Sequence, residues 1–140
     1  MGKMALIMVF LASCFFWGLC LGEDFPRTFG KANGRYWIEV LEALPKETAY
    51  LAKAAYIQGY QDGLNVYANE SASATKMLGT LEGIQMNEIV DAIDRIFGEV
   101  DNRDIPIHSI LALECSKIKG EISSEDYDAV LLAMKKRYSE

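Results

Sequence analysis

From Ala5 to Leu21 the chain carries no charged residue, and at Glu23-Asp24 it turns abruptly polar. With Lys3 ahead of the apolar run and small residues near its end, Met1–Gly22 has the grammar of an export signal. That segment decides how much chain is left to fold, and in which compartment. Cleavage after Gly22 leaves Cys20 and Gly22 at the two positions that must be small, and cleavage after Cys20 uses Gly18 and Cys20. Leu11-Ala12-Ser13-Cys14 matches a bacterial lipobox, which makes lipidation at Cys14 a second product. An uncleaved anchor is the third, although the 17 residues of the apolar run are short of the roughly 20 that cross a bilayer. The expectation is an exported, periplasmic protein, with a Cys14-anchored lipoprotein as the alternative.

After residue 22 the 118 residues that remain suffice for one domain with a core and not for two. Loss of Lys3 takes the formal charge from −6 to −7. Such a surface repels phosphate backbones and anionic headgroups. No nucleic-acid partner is expected, and membrane contact only through lipidation or an uncleaved segment. Of the three cysteines only Cys115 survives a cut at Gly22. An exported domain of this size often adds disulfides, yet this one has no internal pair to form. Its stability must come from packing or from a partner subunit.

Residues 23–34 mix Gly, Pro, Asn and Lys with Phe25 and Phe29 and read as an irregular arm. Residues 35–140 read as the helical domain. A short helix is expected over Arg35–Leu44, with Tyr36, Val40 and Leu44 four apart and Trp37 and Leu41 beside them, stopped by Pro45. Lys46 to Asn69 is the longest periodic stretch, with Tyr50, Ala54, Ile57, Leu64 and Tyr67 on one face. A second strip on it, Ala52, Ala55, Gly59 and Gly63, is made only of small residues. Glycine inside a helix costs about 1 kcal/mol against alanine, so two of them four apart point to another backbone packed close by, or to a partner groove. Glu70 to Gly83 shows no persistent period and reads as a long connecting loop with at most one helical turn, the kind of segment that carries contact surfaces in compact domains.

Asn87 to Gly98 is the next helix, with Ile89, Val90, Ile93, Ile96 and Phe97 as its apolar stripe and Glu88, Asp91, Asp94 and Arg95 on its wet side. A charged turn, Glu99 to Asp104, leads to Pro106 at the first-turn position that helices prefer for proline. Ile107, Leu111, Cys115 and Ile118 then keep helical spacing until Gly120. This puts Cys115 on the core face, where a free thiol behaves as a small hydrophobe and is poorly placed for a Cys115–Cys115 link between chains. Ser123 or Ser124, with Asp126, caps a last helix through Tyr138 that ends in Lys135, Lys136 and Arg137. The expected fold is all-α, a single small domain of about five helices without a disulfide.

Chemistry is harder to find. With one histidine in the chain, no multi-His metal site or paired-His relay can form. His108 and Cys115 lie on one helix about 10 Å apart along its axis, whereas a nucleophile–base pair needs about 3 Å. Asp101-Asn102-Arg103-Asp104 lacks the ligand spacing and glycine of a calcium loop, and Gly59 to Gly63 lies inside a helix with no basic residue after it, so it is no phosphate cradle. No catalytic residue, cofactor or metal is therefore assigned. Glu88, Asp91 and Asp94 form an acidic stripe that a basic partner would fit, although a solvated helix face is the plainer account of it.

Gly59-Tyr60-Gln61-Asp62-Gly63 on a long helix, shortly after an export signal, resembles the Gly-Tyr-x-x-Gly helix of the Rap/Tai immunity proteins, small exported helical proteins of bacteria with type VI secretion. Ile89-Val90-Asp91-Ala92-Ile93 opening a helix, and Ile105-Pro106 leading into an apolar helix that ends near Cys115, extend the likeness over about residues 35 to 120. The chain departs from that pattern in having Ile57 near the position of a family cysteine, no partner for Cys115, and Asp62 before rather than after the second glycine. The resemblance implies a module that binds and neutralises a peptidoglycan-cutting amidase in the periplasm, often as a homodimer, with Gly59, Tyr60 and Gly63 at a close packing or partner contact. Two other readings stand beside it. One is a helical carrier or sensor that binds an apolar or aromatic small ligand near Tyr50, Tyr56, Tyr60 and Tyr67; the other is a carboxylate hydrolase, for which no residue pattern speaks.

Overall fold

A computed structural model describes residues 32–139. The apolar segment 1–22, with Cys14 and Cys20, and all of the arm before Ala32 lie outside the described residues. Among the described residues there are five α-helices: α1 (Lys46–Tyr67), α2 (Ala72–Leu81), α3 (Met86–Gly98), α4 (Ile107–Ile118) and α5 (Ser124–Tyr138). A π-helical turn, Tyr36–Val40, precedes them, and a 3-10 turn, Val100–Asn102, joins α3 to α4. The domain is all-α as expected, and Cys115 is free and buried. None of the described helices is long and apolar enough to cross a membrane.

The core forms where these helices share their apolar stripes. Trp37, Ile57, Leu81, Ile89, Ile93, Phe97, Ile105, Ile110, Leu111 and Cys115 make one buried cluster. α4 lies at its centre, touching α2, α3 and α5, while α1 packs on α2 and α3. Ile107, Ile110, Leu111, Leu113, Glu114 and Cys115 are all buried, so α4 is covered on most of its circumference. Caps set the ends: Ser123 Oγ accepts the Asp126 N–H at 3.1 Å and starts α5, and Gly120, at φ 69°, closes α4 in the left-handed region that glycine enters without strain.

Two segments differ from the sequence expectation. Glu70 to Gly83 is not a long loop, because ten of its residues form α2. Ser71 caps it by accepting the Ala74 N–H at 3.3 Å, and Gly83, at φ 81°, turns the chain out of it. Ala74, Met77 and Leu81 keep helical spacing, but Ser, Thr and Ala between them give too little polarity contrast for the period to show. The irregular arm also ends earlier than Gly34. Asn33 bridges to Pro106, Gly34 N–H donates to the Ile105 carbonyl at 3.2 Å and Ile107 N–H to that of Ala32 at 2.9 Å. Gly34 itself is buried, and a Cβ there would lie 2.8 Å from Arg103 Cα and closer still to the Phe97 ring. Only glycine lets this strand-like entry lie against α3.

The expected helix over Arg35–Leu44 is shorter and wider than read, taking the π form at Tyr36–Val40 before breaking into turns. Trp37 is fully buried on its inner side, whereas the side chain of Val40 lies outside the described residues. Arg35 fastens this entry by donating from Nε and Nη2 to the two carboxylate oxygens of Asp104, at 2.6 and 2.9 Å.

Candidate functional site

The acidic stripe Glu88, Asp91 and Asp94 does not survive as one surface. Glu88 turns back to the start of α3 and accepts the Gln85 N–H at 3.3 Å, so its carboxylate serves as a helix cap. Asp94 is held from inside: Trp37 Nε1 donates to its Oδ1 at 2.5 Å, and Lys53 Nζ donates to the same oxygen at 2.8 Å. Asp91 alone of the three stays exposed and unengaged among the described residues. Helical spacing puts three carboxylates in a row but says nothing of which way each side chain is drawn by its neighbours.

Lys53 is the residue that reorganises this region. It lies four residues before Ile57 on the inward side of α1, and its side chain is only 5% exposed. A bare ammonium there would be strongly destabilising. It is kept charged by Asp94, by Glu42 at 3.6 Å, and by the face of the Trp37 indole, 5.5 Å from its nitrogen. Above this group opens a cleft of 410 Å³, between the chain after the π turn (Glu42, Leu44), the first half of α1 (Lys46, Tyr50, Lys53) and α3 (Asp91, Asp94). Three carboxylates face two ammonium groups in its lining, so the cleft is acidic at the rim and rigidly paired at the floor.

The second region is the outward side of α1. Gly59 and Gly63 are exposed, and among the described residues nothing lies within 4 Å of a Cβ built at either. The expectation that a neighbouring helix of the chain packs close on this strip is therefore corrected. α2 and α3 instead take the opposite side of α1, where Ile57 is buried. Around the glycines Leu51 is 65% exposed, Val66 72% and Tyr67 61%. Tyr60, between the glycines in sequence, points the other way, against the core. Burial raises the pKa of its phenol, and with Leu64, Met77 and His108 it lines a 540 Å³ groove beside α5.

The four tyrosines of α1 do not converge on one pocket. Tyr56 packs edge-on to Trp37, ring centres 6.2 Å apart at 85°, Tyr60 faces the groove, and Tyr50 and Tyr67 stand in solvent. His108 is exposed at the start of α4, whereas Cys115 is fully buried further along the same helix. Desolvation, with the neighbouring Glu114 charge, pushes the Cys115 thiol up to about 12, far from a reactive thiolate.

Sequence reasoning missed two interior charges. Lys53 falls between Ala49 and Ile57 at helical spacing, and Glu114 falls four residues after Ile110, so each is a charged residue on an apolar stripe. That signal was available. Glu114 is buried and accepts a hydrogen bond from the Tyr127 hydroxyl, tying α5 to α4. Burial first, and then this bond, raise the pKa of the Tyr127 phenol. Lys117 covers the Tyr127 ring from 3.7 Å. These groups latch a helix and, being paired, offer no free acid or base. Comparison of the chain with family models, curated proteins and solved structures finds no match.

Proposed function

We propose that this chain is a small exported protein-binding module without catalytic activity, similar in role to the Rap/Tai immunity proteins, which bind and neutralise a peptidoglycan amidase. The observation that carries this reading is the bare outer side of α1, where Leu51, Val66 and Tyr67 stand in solvent on a helix whose inner side is well packed. Large apolar side chains grouped on one helix face mark contact surfaces more often than they occur by accident. The acidic rim of the neighbouring cleft, Glu42 and Asp91, adds a feature that basic side chains of a partner fit. Export follows from the character of residues 1–22, and membrane attachment only from lipidation at Cys14 or retention of that segment.

The test is crosslinking in the native periplasm, followed by purification of the full chain. A second protein species is expected, and its recovery is expected to fall at least tenfold when Glu42→Lys and Asp91→Lys are combined. Recovery of nothing besides the chain itself would sink the proposal.

A further inference from the structure

We infer that the outer side of α1 docks a helix of another protein whose apolar stripe is flanked by lysine or arginine, and that a second copy of this chain does not fit there. The inference rests on the reading of this side as a protein-contact surface and names the chemistry of its occupant. Three observations carry it. The first is the order of side chains along the exposed strip: large at Leu51, small at Ala55, Gly59 and Gly63, large again at Val66 and Tyr67. Bulk at both ends and a bare backbone between them make a shallow saddle of helix width.

The second observation is the open space of that saddle. With nothing within 4 Å of a Cβ at Gly59 or Gly63 among the described residues, an incoming helix can approach the backbone at the short end of the about 8–10 Å range of helix packing. The 22 residues of α1 make a strip about 33 Å long and about 10 Å wide. This is at the lower end of specific interfaces, so apolar contact alone would hold a partner weakly.

The third observation is charge, and it selects the occupant. From Glu47 to Glu70 the acidic residues Glu47, Asp62 and Glu70 are all exposed and enter no ion pair among the described residues. Gln58 Nε2 donates to Asp62 Oδ1 at 3.0 Å and leaves Oδ2 free among the described residues. The one basic residue in that interval, Lys53, is buried and already paired. A basic helix meets charge of opposite sign along the whole strip, whereas two copies of this chain would bring acidic strips together with no exposed lysine or arginine between them.

The experiment adds two synthetic helical peptides to the full chain and follows binding by fluorescence anisotropy. Both carry the same leucine and alanine stripe, one flanked by lysines and the other by glutamates. The lysine peptide is expected to bind at least ten times more tightly. Gly59→Leu, which fills the saddle without meeting any described neighbour, is expected to lose at least tenfold of that binding and to leave the helical circular dichroism spectrum unchanged. Asp62→Lys combined with Glu70→Lys is expected to reverse the preference between the peptides.

Equal binding of the two peptides, or no effect of Gly59→Leu, overturns the inference. So does a loss produced by Glu42→Lys with Asp91→Lys and not by Gly59→Leu, because the peptide then sits at the cleft. A Gly59→Cys variant that oxidises to covalent dimer at least ten times more readily than Asp128→Cys on α5 overturns it in favour of a second copy. In each of these cases the broader contact reading still stands if Leu51→Glu lowers recovery of the periplasmic partner, and falls with it if recovery is unchanged.

Discussion

α1 and α4 are both regular helices with apolar residues at helical spacing, yet they end in different situations. α4 runs through the middle of the domain, and even a glutamate, Glu114, and a cysteine are closed off from water on it. α1 is nearly twice as long, buries only Ala49, Lys53 and Ile57, and leaves Leu51, Val66 and Tyr67 outside. A helix surrounded by its own chain uses its apolar surface in folding. A helix at the edge, with more apolar residues than neighbours, retains surface for something else. The glycines follow the same logic: Gly34 is required because Phe97 and Arg103 press on it, whereas Gly59 and Gly63 are pressed on by nothing among the described residues.

Paired truncations sharpen this contrast most. Leu111→Ala in α4 is expected to destabilise the domain by about 2–5 kcal/mol, since it removes a fully buried side chain and leaves a cavity. Leu51→Ala in α1 is expected to change stability by less than about 0.5 kcal/mol. Urea midpoints of the purified variants decide the matter, and equal losses at the two positions would break the comparison.

The interior ion pair comes next. Asp94→Ala strands Lys53 with only Glu42 at 3.6 Å and removes the acceptor of the Trp37 N–H. A loss of about 3 kcal/mol is expected. Lys53→Met combined with Asp94→Asn should recover most of that loss, because no buried charge is then left alone. If the double variant is as unstable as the single one, the pair is not what holds the cleft floor.

The smallest effect is confined to alkaline solution. The Cys115 thiol has its folded-state pKa raised from 9.0 to about 12, so its neutral form is favoured by folding. Its contribution is complete below about pH 9 and is lost as the pH rises toward 12. The Tyr127 phenol shifts in the same direction and adds to the slope. Stability followed by chemical denaturation between about pH 8 and about pH 11 should fall, and less steeply in Cys115→Val. An unchanged slope in that variant would mean that the thiol is not shielded as its position implies.

Much of the architecture was legible along the chain. Ile89, Val90, Ile93 and Phe97 mark α3, Ile107, Leu111 and Cys115 mark α4, and Ser123 with Asp126 marks the start of α5, because helical period and capping are properties of neighbouring residues. α2 was lost where Ser, Ala and Thr blur the period. The site was less legible. Asp94 and Asp91 are equivalent by spacing, yet one is drawn inward by Trp37 and Lys53, residues 57 and 41 positions away. No local pattern contains that information.

The sequence by itself determined that this is a helical domain of one core with a thiol inside it at Cys115, since side-chain period, caps and cysteine count are local and additive. Tertiary structure alone decided which apolar strips are covered. Burial depends on what another segment brings up against a helix, and on α1 no described segment arrives at Leu51, Gly59, Gly63 and Val66.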